Sequence, residues 1–523
     1  PITRPNAYQW NVGQHDGQVT ISYTLFGDRA DGTYSQIDRS HAHLNIPATF
    51  MWAKGYENVP IELTLKPFND SWKVATQLVK TNRPYVFTAP GLSYFMDSPI
   101  EFSDHQVSEW SVKRKNKDYR FKLAVHHEGS DDDLAEFTRR AKAVIEEQEK
   151  VFGEFPEFDY GEYVFIACYL PHVDRDGMEH RNSTILTNST SLDEGEFEQL
   201  GTLSHEFFHA WNVERIRPKS LEPFDFTKAN PSKSLWFAEG FTSYYGDLLI
   251  RRAQITSHDE YLEVVSTIIN QANLVPGSRY FSPEGASMLA PFTDAGTSID
   301  KTNFRNIFFS YYIYGRAMAL ALDLSIRSQF PGKSLDDYLE LMWQEFGREE
   351  KPYDRSDLQI TLAKLLGDKE FSDTFFANHI RGQKIPDFKK LIAPFGLKLT
   401  KKEDDKTYVG PIDFNFNGES AIVSSVINVA TPLYEVGIER GDQIVKLGRR
   451  TIRSKDLWEK ALEQFKPAES ATIEYIQRGI PVQKTIHFVS NPATKIRKKN
   501  EEESSEEDKA RLLDWLNSDD KGT

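Results

Sequence analysis

His205-Glu206-Phe207-Phe208-His209 is the stretch whose residue types and spacing can do chemistry. Two histidines four apart fall on one face of a helix, so both imidazoles can reach one ion. A glutamate directly after the first stands one position round, where it can hold and deprotonate a water without being a ligand. The chemistry this predicts is zinc-assisted hydrolysis with Glu206 as general base. Leu200, Leu203, Phe207 and Trp211 form an apolar stripe at helical spacing, and the histidines point nearly opposite to it. The pattern predicts a helix over about 197–212 that buries one face and offers the other to a cleft.

With 13 histidines in the chain, the pentapeptide alone also fits a surface helix carrying two stray histidines. A second segment decides between them. Leu235-Trp236-Phe237-Ala238-Glu239-Gly240-Phe241-Thr242-Ser243-Tyr244-Tyr245 follows the turn and helix-start signal Asn230-Pro231-Ser232 and reads as a helix to about Arg252. Glu239 is a charge inside an apolar turn, and a buried carboxylate needs a cation or hydrogen bonds to offset its desolvation. Two histidines and one glutamate, with water in the fourth position, is the donor set of thermolysin-like catalytic zinc sites. The competing reading of Glu239 is a buried carboxylate paired with an arginine. His205, His209 and Glu239 are therefore the expected ligands of one zinc ion per protomer.

H-E-F-F-H-A-W-N-V-E-R-I-R-P and then L-W-F-A-E-G-F-T-S-Y-Y resemble the glycyl aminopeptidase family of gluzincin metallopeptidases, a cousin of the aminopeptidase N group. Asp176-Gly177-Met178-Glu179-His180-Arg181-Asn182-Ser183 resembles the G-x-M-E-N loop with which those relatives grip a substrate's free amine. His180 stands where aminopeptidase N has asparagine. Tyr312-Ile313-Tyr314-Gly315 resembles their Y-x-x-G, whose tyrosine stabilises the oxyanion. The resemblance implies Tyr312 as catalytic, with Tyr311 and Tyr314 as adjacent competitors. It implies Glu179, Met178 and Gly177 at the substrate amine; for Glu179 the alternative is a surface salt bridge on an edge loop. Arg215 and Arg217 are read as structural pairing for the helix end.

The elements that must position these residues fall into a multidomain α+β chain. Residues 1–127 read as an N-terminal β domain: Val19, Ile21, Tyr23 and Leu25 alternate with polar residues, as do Ile61, Leu63 and Leu65, and Tyr119, Phe121, Leu123 and Val125. Its expected job is to wall one side of the cleft. His41-Ala42-His43 is expected to place alternating exposed histidines on a strand rather than a metal site. Residues 128–395 are expected to form a thermolysin-like zinc peptidase domain of strands followed by helices. A helix from Asp131 to about Gly153, a buried strand over Tyr163–Leu170 and an edge strand over Ser183–Leu186 are expected within it. Thr431-Pro432-Leu433-Tyr434-Glu435-Val436-Gly437-Ile438-Glu439-Arg440-Gly441-Asp442-Gln443-Ile444-Val445 resembles the signature of bacterial PDZ domains, with Val436 where alanine is usual. That implies a C-terminal PDZ domain over 396–490, able to take a peptide C-terminus by strand addition. Pro411 in the binding loop removes a donor and weighs against capture. Residues 491–523 read as a charged tail, its charge-rich linker solvated and mobile, with a short helix over 510–516 that docks at a place the sequence does not give.

Composition sets the outer limits. An excess of 78 acidic over 63 basic residues, net −15, argues against nucleic acid as a partner. No apolar run approaches the roughly 18–20 residues of a membrane span. One cysteine, Cys168, excludes an internal disulfide and suits a cytoplasmic protein, or a periplasmic one whose signal peptide was removed. The expectation is a zinc aminopeptidase acting on peptide substrates with small first residues, glycine or alanine. The alternatives are a zinc endopeptidase with PDZ-guided substrate capture, or an inactive PDZ-bearing binding protein.

Overall fold

The structure is a computed structural model that describes residues 2–115, 117–294, 303–416, 418 and 420–517. An N-terminal β domain is built on two sheets. In one, Gln36–Ile37, β1 (His41–Leu44), β3 (Ile100–Ser103) and β2 (Lys73–Ala75) lie side by side. In the other, Ile61–Thr64, Val86–Ala89 and Val79–Lys80 pair, and a core of Leu44, Trp72, Phe87, Phe95 and Phe102 lies between. Val19–Leu25 forms no strand, and Val19, Ile21 and Tyr23 are exposed. Alternation marks a strand only where a neighbouring strand supplies ladder partners, and among the described residues none pairs with this stretch.

His41 and His43 are fully buried, which corrects the exposed placement expected of them. β1 is an inner strand of its sheet, so one face meets the domain core and the other is covered by the catalytic half.

That half is organised on a five-stranded sheet in the order β4 (Gln106–Arg114), β5 (Lys117–His127), β6 (Glu162–Tyr169), β8 (Ser183–Asn188), β7 (Asp176–His180). β5, β6 and β8 run parallel, and β4 and β7 are antiparallel at the edges. β8 is buried along its whole length and is an inner strand; β7, one turn earlier in the chain, is the edge. The expectation of an edge strand at Ser183–Leu186 is thus corrected. Its residues alternate Ser, Ile and Thr, Leu, polar enough to read as an edge, but their hydroxyls are satisfied inside: Ser183 Oγ donates to Gln77 and Thr184 Oγ1 to the Met178 carbonyl.

α1 (Asp131–Phe152) starts where Ser130 and Asp133 form a capping box and stops at Gly153, which takes a positive φ of 79°. It backs α2 (Leu200–Phe208), and Gln148 Nε2 donates to the Ser204 carbonyl at 2.7 Å. α3 (Leu235–Arg252), α4 (His258–Leu274) and α5 (Tyr311–Gln329) complete the helical layer around one large core. Among the described residues no helix is long and apolar enough to cross a membrane.

The chain leaves this half through β9 (Leu397–Lys401) and returns through β10 (Thr494–Lys498), which pairs antiparallel with it. Between them lies a small β unit with its own core, including Leu433, Ile444, Trp458 and Ile473. The linker expected to be solvated begins with a paired strand, and the short helix expected to dock runs over Glu506–Leu516. β10 lies against α4, where Ile496 N donates to Ser266 Oγ and Thr494 N to Asn270 Oδ1. α6 (Glu506–Leu516) inserts Trp515 and Leu516, both fully buried, into the catalytic core. Its charges occupy the outer face and first turn, while the apolar residues cluster at its end.

Candidate metal centre and substrate cleft

His205 lies on α2, His209 caps its C-terminus, and Glu239 lies on α3. Leu200, Leu203 and Phe207 face the core as their spacing predicts, which leaves the histidine side toward α3. Ser204 Oγ donates to the Gly246 carbonyl at 2.8 Å and ties the two helices. His205 Nε2 and His209 Nε2 are 3.1 Å apart, and Glu239 Oε2 lies 3.3 and 3.2 Å from them. Tetrahedral zinc with bonds of about 2.0–2.1 Å to N and O sets its donors roughly 3.3 Å apart, so this set fits the ion. Burial would raise the Glu239 carboxyl, but the His209 and His205 imidazoles outweigh it and hold the group well below its usual range.

The outer nitrogens are fixed as metal-site histidines require. His209 Nδ1 pairs with the Asn212 carbonyl at 2.5 Å, and Ser243 Oγ sits 3.5 Å from His205 Nδ1. Asn212 Nδ2 in turn donates to the carbonyls of Phe237 and Ala238, beside Glu239. The sequence places Asn212 on the histidine face of the helix but gives it no role; its position three residues after His209 was the available signal. Arg215 is buried and donates to the carbonyls of Ala210, Glu157 and Arg181, closing the end of α2, while Arg217 pairs with Glu222 at 3.0 Å.

Glu206 is buried on the side facing β7. A Cβ at Gly177 would overlap its carboxylate and the Thr202 methyl, so only glycine lets this strand lie so close. Donor atoms of Glu179, Glu206 and His209 all fall within 4.8 Å of one another. Burial pushes the Glu179 carboxyl up to about 7 and raises Glu206 well above its ordinary value. Met178 is half-buried on the same strand, opposite Ile185. Both ends of β7 are held by the N-terminal domain. Gly32 N donates to Asp176 at 2.9 Å, while Asp97 pairs with His180 Nδ1 at 2.9 Å and accepts from Arg181 N at 2.8 Å.

Among the three neighbouring tyrosines the structure distinguishes clearly. The Tyr311 hydroxyl is committed to Asp294 at 2.5 Å, and Tyr314 is buried against Phe309. The Tyr312 ring lies 6.2 Å from the His205 ring, at the cleft, and burial followed by the Glu239 charge raises its phenol. The structure therefore brings His205, Glu206, His209, Glu239, Gly177, Glu179 and Tyr312 to one cleft, whereas Met178 alternates to the other face of β7 and lies against Gly32 of the N-terminal domain.

Residues 198–318 match the family model described as M61 glycyl aminopeptidase, and residues 1–104 match that of the peptidase M61 N-terminal domain. A comparison with curated proteins gives no match. Among solved structures, an aminopeptidase N family protein from Idiomarina loihiensis superposes with a TM-score of 0.78 and 22% identity, covering 92% of this chain and 84% of that one. An M1 zinc metallopeptidase from Deinococcus radiodurans aligns with a TM-score of 0.44 and 14% identity, over 69% of this chain and 75% of that one. The family matches support a peptidase related to M61, and the glycyl aminopeptidase match falls on the segment that carries His205, Glu206, His209, Glu239 and Tyr312.

Proposed function

We propose that this protein is a zinc-dependent aminopeptidase that removes small N-terminal residues, glycine and alanine, from peptides. The observation that carries the reading is the placing of a buried carboxylate, Glu179, within 4.8 Å of both Glu206 and the ligand His209. His205, His209 and Glu239 would hold the ion. Bound there, zinc supplies Lewis acidity and a water whose pKa lies near neutrality.

The remaining steps belong to the chain. Glu206 accepts the proton of the attacking water and passes it to the leaving amine. Tyr312 donates its phenolic hydrogen to the oxyanion that develops on the scissile carbonyl. Glu179 pairs with the substrate's α-ammonium, and in a buried cleft such a pair is far stronger than in water. Gly177 keeps β7 pressed onto Glu206, leaving little room for a large first side chain. Metal analysis together with a panel of aminoacyl fluorogenic substrates tests the reading. Free-amine glycyl and alanyl substrates should be cleaved, and N-acetylated ones should be poor. Efficient cleavage of N-blocked peptides would make the chain an endopeptidase instead.

The C-terminal unit is proposed as a PDZ domain. Two features support it: Thr431 caps the helix Pro432–Glu435, and Gly437 and Gly441 both take positive φ before the strand Gln443–Leu447. Titration with peptides carrying free or amidated C-termini tests whether it takes a terminal carboxylate.

A further inference from the structure

A second cluster of metal-binding side chains lies away from the cleft, where the N-terminal sheet packs on the catalytic sheet. His126 and Cys168 are direct cross-strand partners on β5 and β6, and His43 and Glu101 are cross-strand partners on β1 and β3. His41, on the same face of β1 as His43, completes the contact between the sheets. Donor atoms of His41, His126 and Cys168 all lie within 4.8 Å of one another. Glu101 Oε1 is 3.2 Å from His41 Nδ1 and 3.4 Å from His126 Nδ1, close to the 3.3 and 3.2 Å between Glu239 and its two histidines. Cys168 Sγ is 3.8 Å from His41 Nδ1.

One nitrogen of this cluster is left without a hydrogen-bond partner. His43 is satisfied at both nitrogens, by Glu101 Oε2 at 3.1 Å and the Asp31 carbonyl at 2.9 Å. His126 Nδ1 is buried, lies 3.4 Å from Glu101 Oε1 and makes no hydrogen bond. Glu101 is wholly buried, and among the described residues histidines alone pair with it, no lysine or arginine. His43, which donates from both ring nitrogens, is the imidazolium that balances the Glu101 carboxylate, and His126 Nδ1 and the Cys168 thiol are the groups left for a metal.

We propose that His41, His126 and Cys168 bind a second metal ion, of the zinc class, with Glu101 as the carboxylate that partners both imidazoles. One thiolate with two imidazoles selects a borderline or soft ion over magnesium or calcium. Nearly complete burial makes this a closed, structural site. Its ligands come from the N-terminal domain on one side and from two strands of the catalytic sheet on the other, so the ion clamps the two domains together. The alternative triad of Asp38, His41 and His172 uses His41 Nε2, which is already bonded to Gln36 at 3.0 Å, and its other two members are exposed.

The test is cobalt substitution of the full chain, stripped of metal with a chelator and reloaded with Co2+. The expected result is two cobalt ions per chain and a thiolate-to-cobalt charge-transfer band in the near ultraviolet. Cys168 is the only cysteine, and the cleft donors contain no sulfur, so the band reports this site alone. A His205→Ala, His209→Ala double variant should keep the band and one ion, which separates this site from the cleft. Cys168→Ser should lose the band and one ion, keep peptide hydrolysis, and unfold at a lower temperature. One cobalt per chain without the band, or two without it, in the unmutated protein would overturn the proposal whether or not any variant folds.

Discussion

Gly240 on α3 and Gly315 on α5 meet backbone to backbone. A Cβ on Gly240 would fall on the Gly315 Cα, and one on Gly315 would fall on the Trp236 carbonyl. Glu239 precedes the first glycine, and Tyr312 lies one turn before the second, so this contact sets the spacing between carboxylate and phenol. Gly315→Ala should cost about 1–3 kcal/mol by overpacking. It should also lower kcat in whatever protein remains folded. Chemical denaturation and steady-state kinetics read the two effects, and a variant normal in both would show that the helices have slack.

Glu206→Gln should retain the full complement of zinc and lose about 10²–10⁴-fold in kcat, the usual worth of a positioned base. Metal content measured on the same sample as activity makes the result decisive. Near-normal turnover by fully loaded Glu206→Gln protein would assign the base elsewhere.

Tyr312→Phe should lower kcat about 10²–10³-fold with little change in KM, as expected for a donor that acts on the developing oxyanion. Tyr311→Phe should act differently, through stability, because its hydroxyl serves Asp294. If the kinetic roles of the two variants prove reversed, the donor is Tyr311.

Glu179→Ala should raise KM for free-amine substrates roughly 10- to 100-fold, the worth of about 1.5–3 kcal/mol for a hydrogen bond to a charged group. The weak cleavage of N-acetylated substrates should be unchanged. An equal loss on both substrate types would make Glu179 a general determinant of cleft shape rather than an amine reader.

Trp515→Ala should destabilise the catalytic domain by about 3–5 kcal/mol. The side chain is fully buried, its Nε1 donates to the Tyr244 hydroxyl at 2.8 Å, and Tyr244 donates to Asp323 at 2.6 Å. The midpoint of thermal unfolding, followed alongside hydrolysis, would register this as joint loss of fold and activity. Unchanged stability would mean the helix is docked only loosely.

The cleft was legible because its information is local. Four-residue spacing places His205 and His209 on one face, and a charge among apolar residues marks Glu239. Features made by distant pairing were not. Burial of His41 and His43 depends on a sheet whose strands come from residues 106–188. Docking of the last helix depends on Leu397–Lys401 meeting Thr494–Lys498, and nothing in either segment names the other. Asp97 and Asp294 carry no signal in the sequence, yet Asp97 holds the end of β7 through His180 and Arg181, and Asp294 holds the Tyr311 hydroxyl. Val19–Leu25 shows the converse failure, an alternating pattern with no partner to pair with.

The adjacency of Leu397–Lys401 and Thr494–Lys498 makes the small β unit an inserted loop rather than a terminal appendage. A backbone break anywhere inside that loop would leave two pieces still joined by the ladder and by the docked Trp515 helix. The catalytic half therefore draws on residues 494–516, and those contacts form only once the ribosome has finished the insert and released the helix that follows.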